Sequence, residues 1–210
     1  MKKATIALLA VVLLAAPAFA QTTRCAGWEE TGAITILGFY GNLGNDRIVT
    51  APEPVYAGTY ACSVQETPNG GTPQAYVAYI EFLTDGDVVD ASFYAYDDTP
   101  DVSPSVRIWA HYALSGDVMS YVASASGPST YTSGIGWELM STSYTFDSGG
   151  GTRDALVIEY RLYSATGAED VYYMDDVCVT APDHARITLA GEPPIAVGSE
   201  SWSGIKALYR

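Results

Sequence analysis

The chain has 210 residues, with 24 acidic and 10 basic side chains and a formal net charge of −14. That charge repels phosphate backbones and anionic lipid surfaces, which argues against nucleic-acid and membrane-surface partners and favours neutral or cationic ones, calcium included. It also accounts for plain solubility.

At the N-terminus, Lys2 and Lys3 precede an apolar run from Ile6 to Ala15, and Ala18-Phe19-Ala20 has the small-x-small form of a cleavage site. The pattern predicts a secretory signal peptide over residues 1–20. Residue 21 is Gln, so a lipid anchor at that cut is not expected, and no later apolar run is long enough to cross a bilayer. The expected location is outside the cytosol: secreted, periplasmic or at the cell surface.

From residue 21 onward, short alternating runs are split by Gly, Pro, Asn and Asp, and convincing helical periodicity is absent until the last dozen residues. The pattern predicts an all-β fold, a jelly-roll β-sandwich of antiparallel strands, over residues 21–182. Strands are expected near 33–39, 58–65, 75–83, 88–96, 105–112, 119–124, 137–146, 154–163 and 171–180. Asp85-Gly86-Asp87 and Gly149-Gly150-Gly151 read as turns, and the Pro-containing run from Asp97 to Ser105 as a loop.

Alternation also assigns faces. In 91–96, Ser92, Tyr94 and Tyr96 oppose Ala91, Phe93 and Ala95. In 107–112, Arg107, Trp109 and His111 oppose Ile108, Ala110 and Tyr112. In 154–163, Glu159, Arg161 and Tyr163 oppose Leu156, Ile158, Tyr160 and Leu162. Tyr94, Tyr96, Arg107, Trp109 and His111 therefore form the candidate binding surface, since a sugar needs an aromatic platform and polar partners. Trp109 would be the platform. The opposite assignment of faces puts Trp109 in the core. Trp137 is expected to plug the edge of the sandwich.

The closing strand contains two adjacent carboxylates, Asp175 and Asp176. On a pleated strand they point to opposite faces, so one of them must be paired, hydrogen-bonded or bound to a cation. Residues 183–210 form a C-terminal extension. One further strand is expected near 185–190. Over Ser199 to Arg210 a short helix could carry Trp202, Ile205 and Leu208 on one stripe, the alternatives being a disordered tail or a sorting signal. Three cysteines, Cys25, Cys62 and Cys178, allow one disulfide and one leftover thiol.

Several stretches in order resemble a jelly-roll carbohydrate-binding module, or more broadly a galactose-binding-like domain. They are Gly27-Trp28-Glu29 with Gly32, Val55 to Tyr60 around Gly58, Gly136-Trp137, and Tyr173-Met174-Asp175-Asp176-Val177. At the start, Cys25-Ala26 stands where Asn-Gly is common in the family. The resemblance implies a structural calcium held by Glu29, Asp175 and the Gly27 carbonyl. Trp28 would pack beside it, and the first and last strands would be antiparallel neighbours with Glu29 facing Asp175. In that register Cys178 faces Ala26, so the implied Cys25–Cys178 disulfide needs a bulge, and Cys62 is the free thiol.

No nucleophile elbow, His-Glu-x-x-His or P-loop is present, and no spacing singles out a pair of carboxylates. The reading is a secreted, non-catalytic, lectin-like module that binds polysaccharide or glycan. The rival is a structural or adhesion module that binds a cell-surface protein, and a third reading is a glycoside hydrolase on the same scaffold.

Overall fold

Alternating apolar and polar residues fold as twelve strands in a computed structural model, described for residues 20–98, 105–163 and 169–194. They are β1 (Gln21–Ala26), β2 (Gly38–Tyr40), β3 (Leu43–Thr50), β4 (Tyr60–Glu66), β5 (Gln74–Glu81), β6 (Val88–Asp97), β7 (Ser105–Ala113), β8 (Ala123–Ser126), β9 (Gly136–Thr145), β10 (Ala155–Tyr163), β11 (Val171–Pro182) and β12 (Arg186–Leu189). No helix appears among the described residues.

The strands form two six-stranded sheets. One has the order β3-β4-β11-β6-β9, with β1 also on β11. The other has the order β12-β5-β10-β7-β8, with β2 also on β5. All pairings are antiparallel. From β4 to β7, and again from β9 to β12, each strand crosses to the other sheet. That crossing makes the sandwich a jelly roll, and it decides which side chains share an outer face.

The core between the sheets has the apolar sets that alternation assigned: Phe93 and Ala95 from β6, Ile108 and Ala110 from β7, and Leu156, Ile158, Tyr160 and Leu162 from β10. The Asp85-Gly86-Asp87 turn is present, with Asp87 Oδ2 accepting from Thr84 N–H at 2.7 Å. The next turn uses three consecutive left-handed glycines, Gly149, Gly150 and Gly151. Residues 99–104 of the expected Asp97–Ser105 loop lie outside the described residues, as do residues 195–210 with the expected terminal helix. The further strand near 185–190 is β12.

The strand expected at 33–39 shrinks to β2. Ile34 and Thr35 carbonyls instead accept the indole N–H of Trp28, and Ile34 N–H donates to Glu192. Trp28 is a core residue. β1 was expected only through the resemblance, as the first strand beside the last; it is mostly solvent-facing and carries no apolar alternation. β3 was not expected: it contains the turn-like Gly44-Asn45-Asp46, accommodated as a register shift with Asn45 at φ 50°. Trp137 does not plug the core: it lies on the outer face of its sheet, opposite Tyr96.

Cys25 pairs directly with Cys178 across β1 and β11, their Cα atoms 4.1 Å apart, and the two are joined by a disulfide. The register is one residue away from the expected one, so β1 needs no bulge. β1 ends at Ala26, and Glu29 does not face Asp175. Cys62 is the buried free thiol.

The irregularity sits in β11. Its pairing with β6 shifts between Asp175 and Cys178, and Asp176 adopts φ 51°. The extra residue flips the inward parity: Tyr172 and Met174 face the core before it, Val177, Val179 and Ala181 after it. At the same point the neighbour of β11 changes from β4 to β1. Asp175 is 0% exposed there. Its Oδ2 accepts from Tyr56 and Ala57 N–H at 3.0 and 3.1 Å, and its Oδ1 from Asp176 N–H at 2.8 Å. The buried carboxylate is satisfied by amides, at the point where β11 pairs with neither β4 nor β1.

Candidate functional site

The expected five-residue surface is split. Tyr94 and Tyr96 leave β6 on the outer face of one sheet, whereas Arg107, Trp109 and His111 leave β7 on the outer face of the other. Alternation assigned each strand's faces correctly, but β6 and β7 belong to different sheets. Tyr94 is moreover covered by Tyr56, stacked at 3.5 Å between centroids, and Trp137 stands edge-on to both Tyr56 and Tyr96. These rings anchor the segment before β4 and do not form an open platform.

The other outer face carries a cleft of about 660 Å³. Its floor is set by register. Across β5, β10 and β7, one row is Tyr76, Glu159 and Trp109, and the next is Gln74, Arg161 and Arg107. A register shift between Ile158 and Glu159 lets Val77 and Ala78 both turn inward, so Tyr76 and Tyr79 both stay on the outer face. The walls are Phe39 and Tyr40 from β2, and Met119 and Tyr121 from the segment before β8. Tyr40 and Tyr121 are 63% and 67% exposed, open aromatic faces of the kind a sugar ring can lie on.

The floor is polar and connected. His111 Nδ1 and Glu159 Oε1 are 2.6 Å apart, a diagonal contact between β7 and β10. With its amide turned so that donor meets acceptor, Gln74 donates to Glu159 Oε2 at 3.1 Å and accepts from Arg161 at 3.3 Å. His111 is 1% exposed, and its Nε2 has no partner. A buried polar atom left open beside a cleft is a hydrogen-bonding position for a ligand. Burial, with Glu159 adding to it, pushes the Tyr76 phenol up to about 12, so its hydroxyl stays neutral.

Trp109 does not fill the core. It faces outward, with its indole N–H donated to Ser124 Oγ at 3.2 Å. It is not a bare platform either, because the guanidinium carbons of Arg107 and Arg161 lie 4.1 and 4.8 Å from the centre of its ring. Gly127 is required beside it: a Cβ there would meet the Ile108 carbonyl at 2.6 Å and the Trp109 ring at 3.0 Å. Sequence reasoning placed Glu159 and Arg161 on a polar face but did not bring them to the site. Phe39, Tyr40, Gln74, Tyr76 and Tyr121 were missed, since only the sheet order brings them together.

The residues considered for calcium converge on the turn before β4. Glu29 Oε1 accepts from Thr59 and Tyr60 N–H at 2.9 and 2.8 Å. Gly58, at φ +69°, leaves room for that carboxylate, which an added Cβ would meet at 2.4 Å. An added Cβ on Gly27 would meet Asp175 Oδ1 at 3.2 Å. The turn presents N–H groups to both carboxylates, and among the described residues no group of three or more His, Cys, Asp or Glu is gathered. This donor set fits amide protons; a calcium ion would want several oxygens in their place.

Fold and cleft together define a jelly-roll sandwich with a groove across the outer face of one sheet. No family model matches the chain, and no curated protein matches it. Its fold is similar to that of the second CBM22 xylan-binding domain of Paenibacillus barcinonensis Xyn10C, at 17% identity and a TM-score of 0.49, over 75% of this chain and 98% of that domain. It is also similar to the first CBM22 xylan-binding domain of the same enzyme, at 14% identity and a TM-score of 0.47, over 79% and 98%. A third similar structure is the Clostridium thermocellum Xyn10B CBM22-1–GH10 protein complexed with xylohexaose, at 12% identity and a TM-score of 0.49, over 75% of this chain and 28% of that one.

Proposed function

We propose that this protein is an exported, non-catalytic module that binds a polysaccharide in the cleft over β2, β5, β10, β7 and β8. One observation carries the reading: exposed rings of Phe39, Tyr40 and Tyr121 flank a floor whose buried His111 Nε2 lacks a partner. Stacking walls with a polar floor suit the apolar faces and hydroxyls of a sugar chain. A concave cleft also supports sugar over a protein partner, for which a flat apolar patch would be expected. Turnover is disfavoured because Glu159 is the only carboxylate lining the cleft among the described residues, whereas glycoside hydrolysis uses a pair. Export is supported by the N-terminal sequence pattern and by the Cys25–Cys178 disulfide, which persists in oxidising compartments.

Affinity electrophoresis and calorimetry against a panel of polysaccharides, xylan among them, test this. Tyr40→Ala and Tyr121→Ala should each weaken binding by about tenfold or more, with the melting temperature unchanged because both rings are exposed. Retention that neither variant alters would remove the cleft from consideration.

A further inference from the structure

Among the described residues the cationic side chains other than His are six arginines: Arg24, Arg47, Arg107, Arg153, Arg161 and Arg186. Arg24, Arg47, Arg153 and Arg186 are each ion-paired with a carboxylate. Arg107 and Arg161 are paired with no acid among the described residues. These two stand directly opposite each other on β7 and β10, where like charges repel. Their hydrogen-bond partners are neutral: the Tyr163 hydroxyl for Arg107 at 2.5 Å, and the Gln74 amide for Arg161. Arg107 Nε is buried without a partner. Glu159, the nearby acid of the cleft, is engaged by His111 and Gln74.

Both guanidinium groups are held by rings. Arg107 lies over Trp109, Tyr131 and Tyr163, and Arg161 over Trp109 and Tyr163. Ring stacking fixes planar forks while leaving N–H donors free, and such forks match a carboxylate geometrically. Arg161 lines the polysaccharide cleft, which brings the pair to its edge.

Resting on the polysaccharide reading, we propose that the ligand is acidic: Arg107 and Arg161 together receive the carboxylate of a uronic acid residue while the neighbouring sugars occupy the aromatic cleft. The incoming charge gives both guanidinium groups an attractive partner that offsets their mutual repulsion. The chain's overall acidity acts over longer distances and is screened by salt; this contact is short-ranged.

The test compares an acidic polysaccharide, a glucuronic-acid-bearing xylan or a polygalacturonate, with the same polymer after chemical reduction of its carboxyl groups. Binding to the full chain is measured by calorimetry. The acidic form should bind about tenfold tighter or more, as a charge-assisted bidentate contact warrants. Arg161→Gln and Arg107→Gln should each bring it down toward the reduced form, whereas Arg47→Gln, on the other sheet, should not. Equal binding of both forms overturns the acidic assignment and leaves polysaccharide binding standing. A preference that survives both cleft substitutions overturns the role of these arginines. Binding of neither polymer overturns the polysaccharide reading, and this inference with it. Melting curves of each variant check that a lost preference is not a lost fold.

Discussion

Asp175 shows how one residue settles a question that its neighbours leave open. Two adjacent acids on a strand cannot both face water, and here the bulge at Asp176 assigns the buried place to Asp175, with three amide donors around it. Asp175→Asn would turn an NH₂ group toward N–H donors and should cost about 1–3 kcal/mol in chemical denaturation. Asp176→Asn should be close to neutral, because Asn tolerates the left-handed backbone found there. Desolvation raises Asp175 above the ordinary carboxylate range, against the pull of those same amides, and it raises Glu66 as well. A raised native value means that the folded state prefers the protonated form. The stabilising contribution is then fully present below the unfolded-chain values and is lost as pH rises through the native ones. Stability should therefore fall as pH rises from the carboxylate range toward neutrality. Glu66→Gln, which removes a buried charge whose Oε2 has no partner, should flatten part of that fall in denaturation series across about pH 4 to 8.

At the scale of elements, β1 depends on its staple. It is an outer strand with little apolar burial, held by pairing with one half of β11 and by Cys25–Cys178. The disulfide spans 153 residues, so its loss through Cys25→Ser with Cys178→Ser should cost about 2–5 kcal/mol, read as a lower denaturation midpoint. Cys62 should resist alkylation in the native state, because burial raises its thiol far above its usual value and keeps it protonated. Rapid labelling of Cys62 without unfolding would contradict the core position given to it. Apolar alternation marks neither β3 nor β1, and for a common reason. Strand signals come from apolar alternation, and an edge strand that buries little displays little of it.

For the whole molecule, the jelly-roll crossing matters more than any single strand. It carries β6 and β7 to opposite faces, so Tyr94 and Tyr96 anchor a loop while Trp109 and His111, with Arg107 beside them, join a cleft built from four other stretches of chain. Calcium belongs to this scale too, since the residues proposed to hold it tie the first loop to the last long strand. With Glu29 and Asp175 both occupied by amide donors, addition of a chelator should leave the melting temperature unchanged, and a fall of several degrees would establish a bound cation.

Beyond the Cys25–Cys178 pair, which the family resemblance implied, the sequence by itself determined the class of fold, most strand positions, and the inward and outward residues of β6, β7 and β10. Each of these follows from local rules of period and composition or from a short motif. Tertiary structure alone decided which outer faces coincide, where β11 changes partner, and that Arg107 and Arg161 stand opposite each other with no described acid paired to either. Pairing between strands far apart in the chain depends on sheet order and on one-residue shifts such as those at Val77 and Asp176. A single such shift moves every later side chain to the opposite face, and period-two alternation read strand by strand carries no record of it.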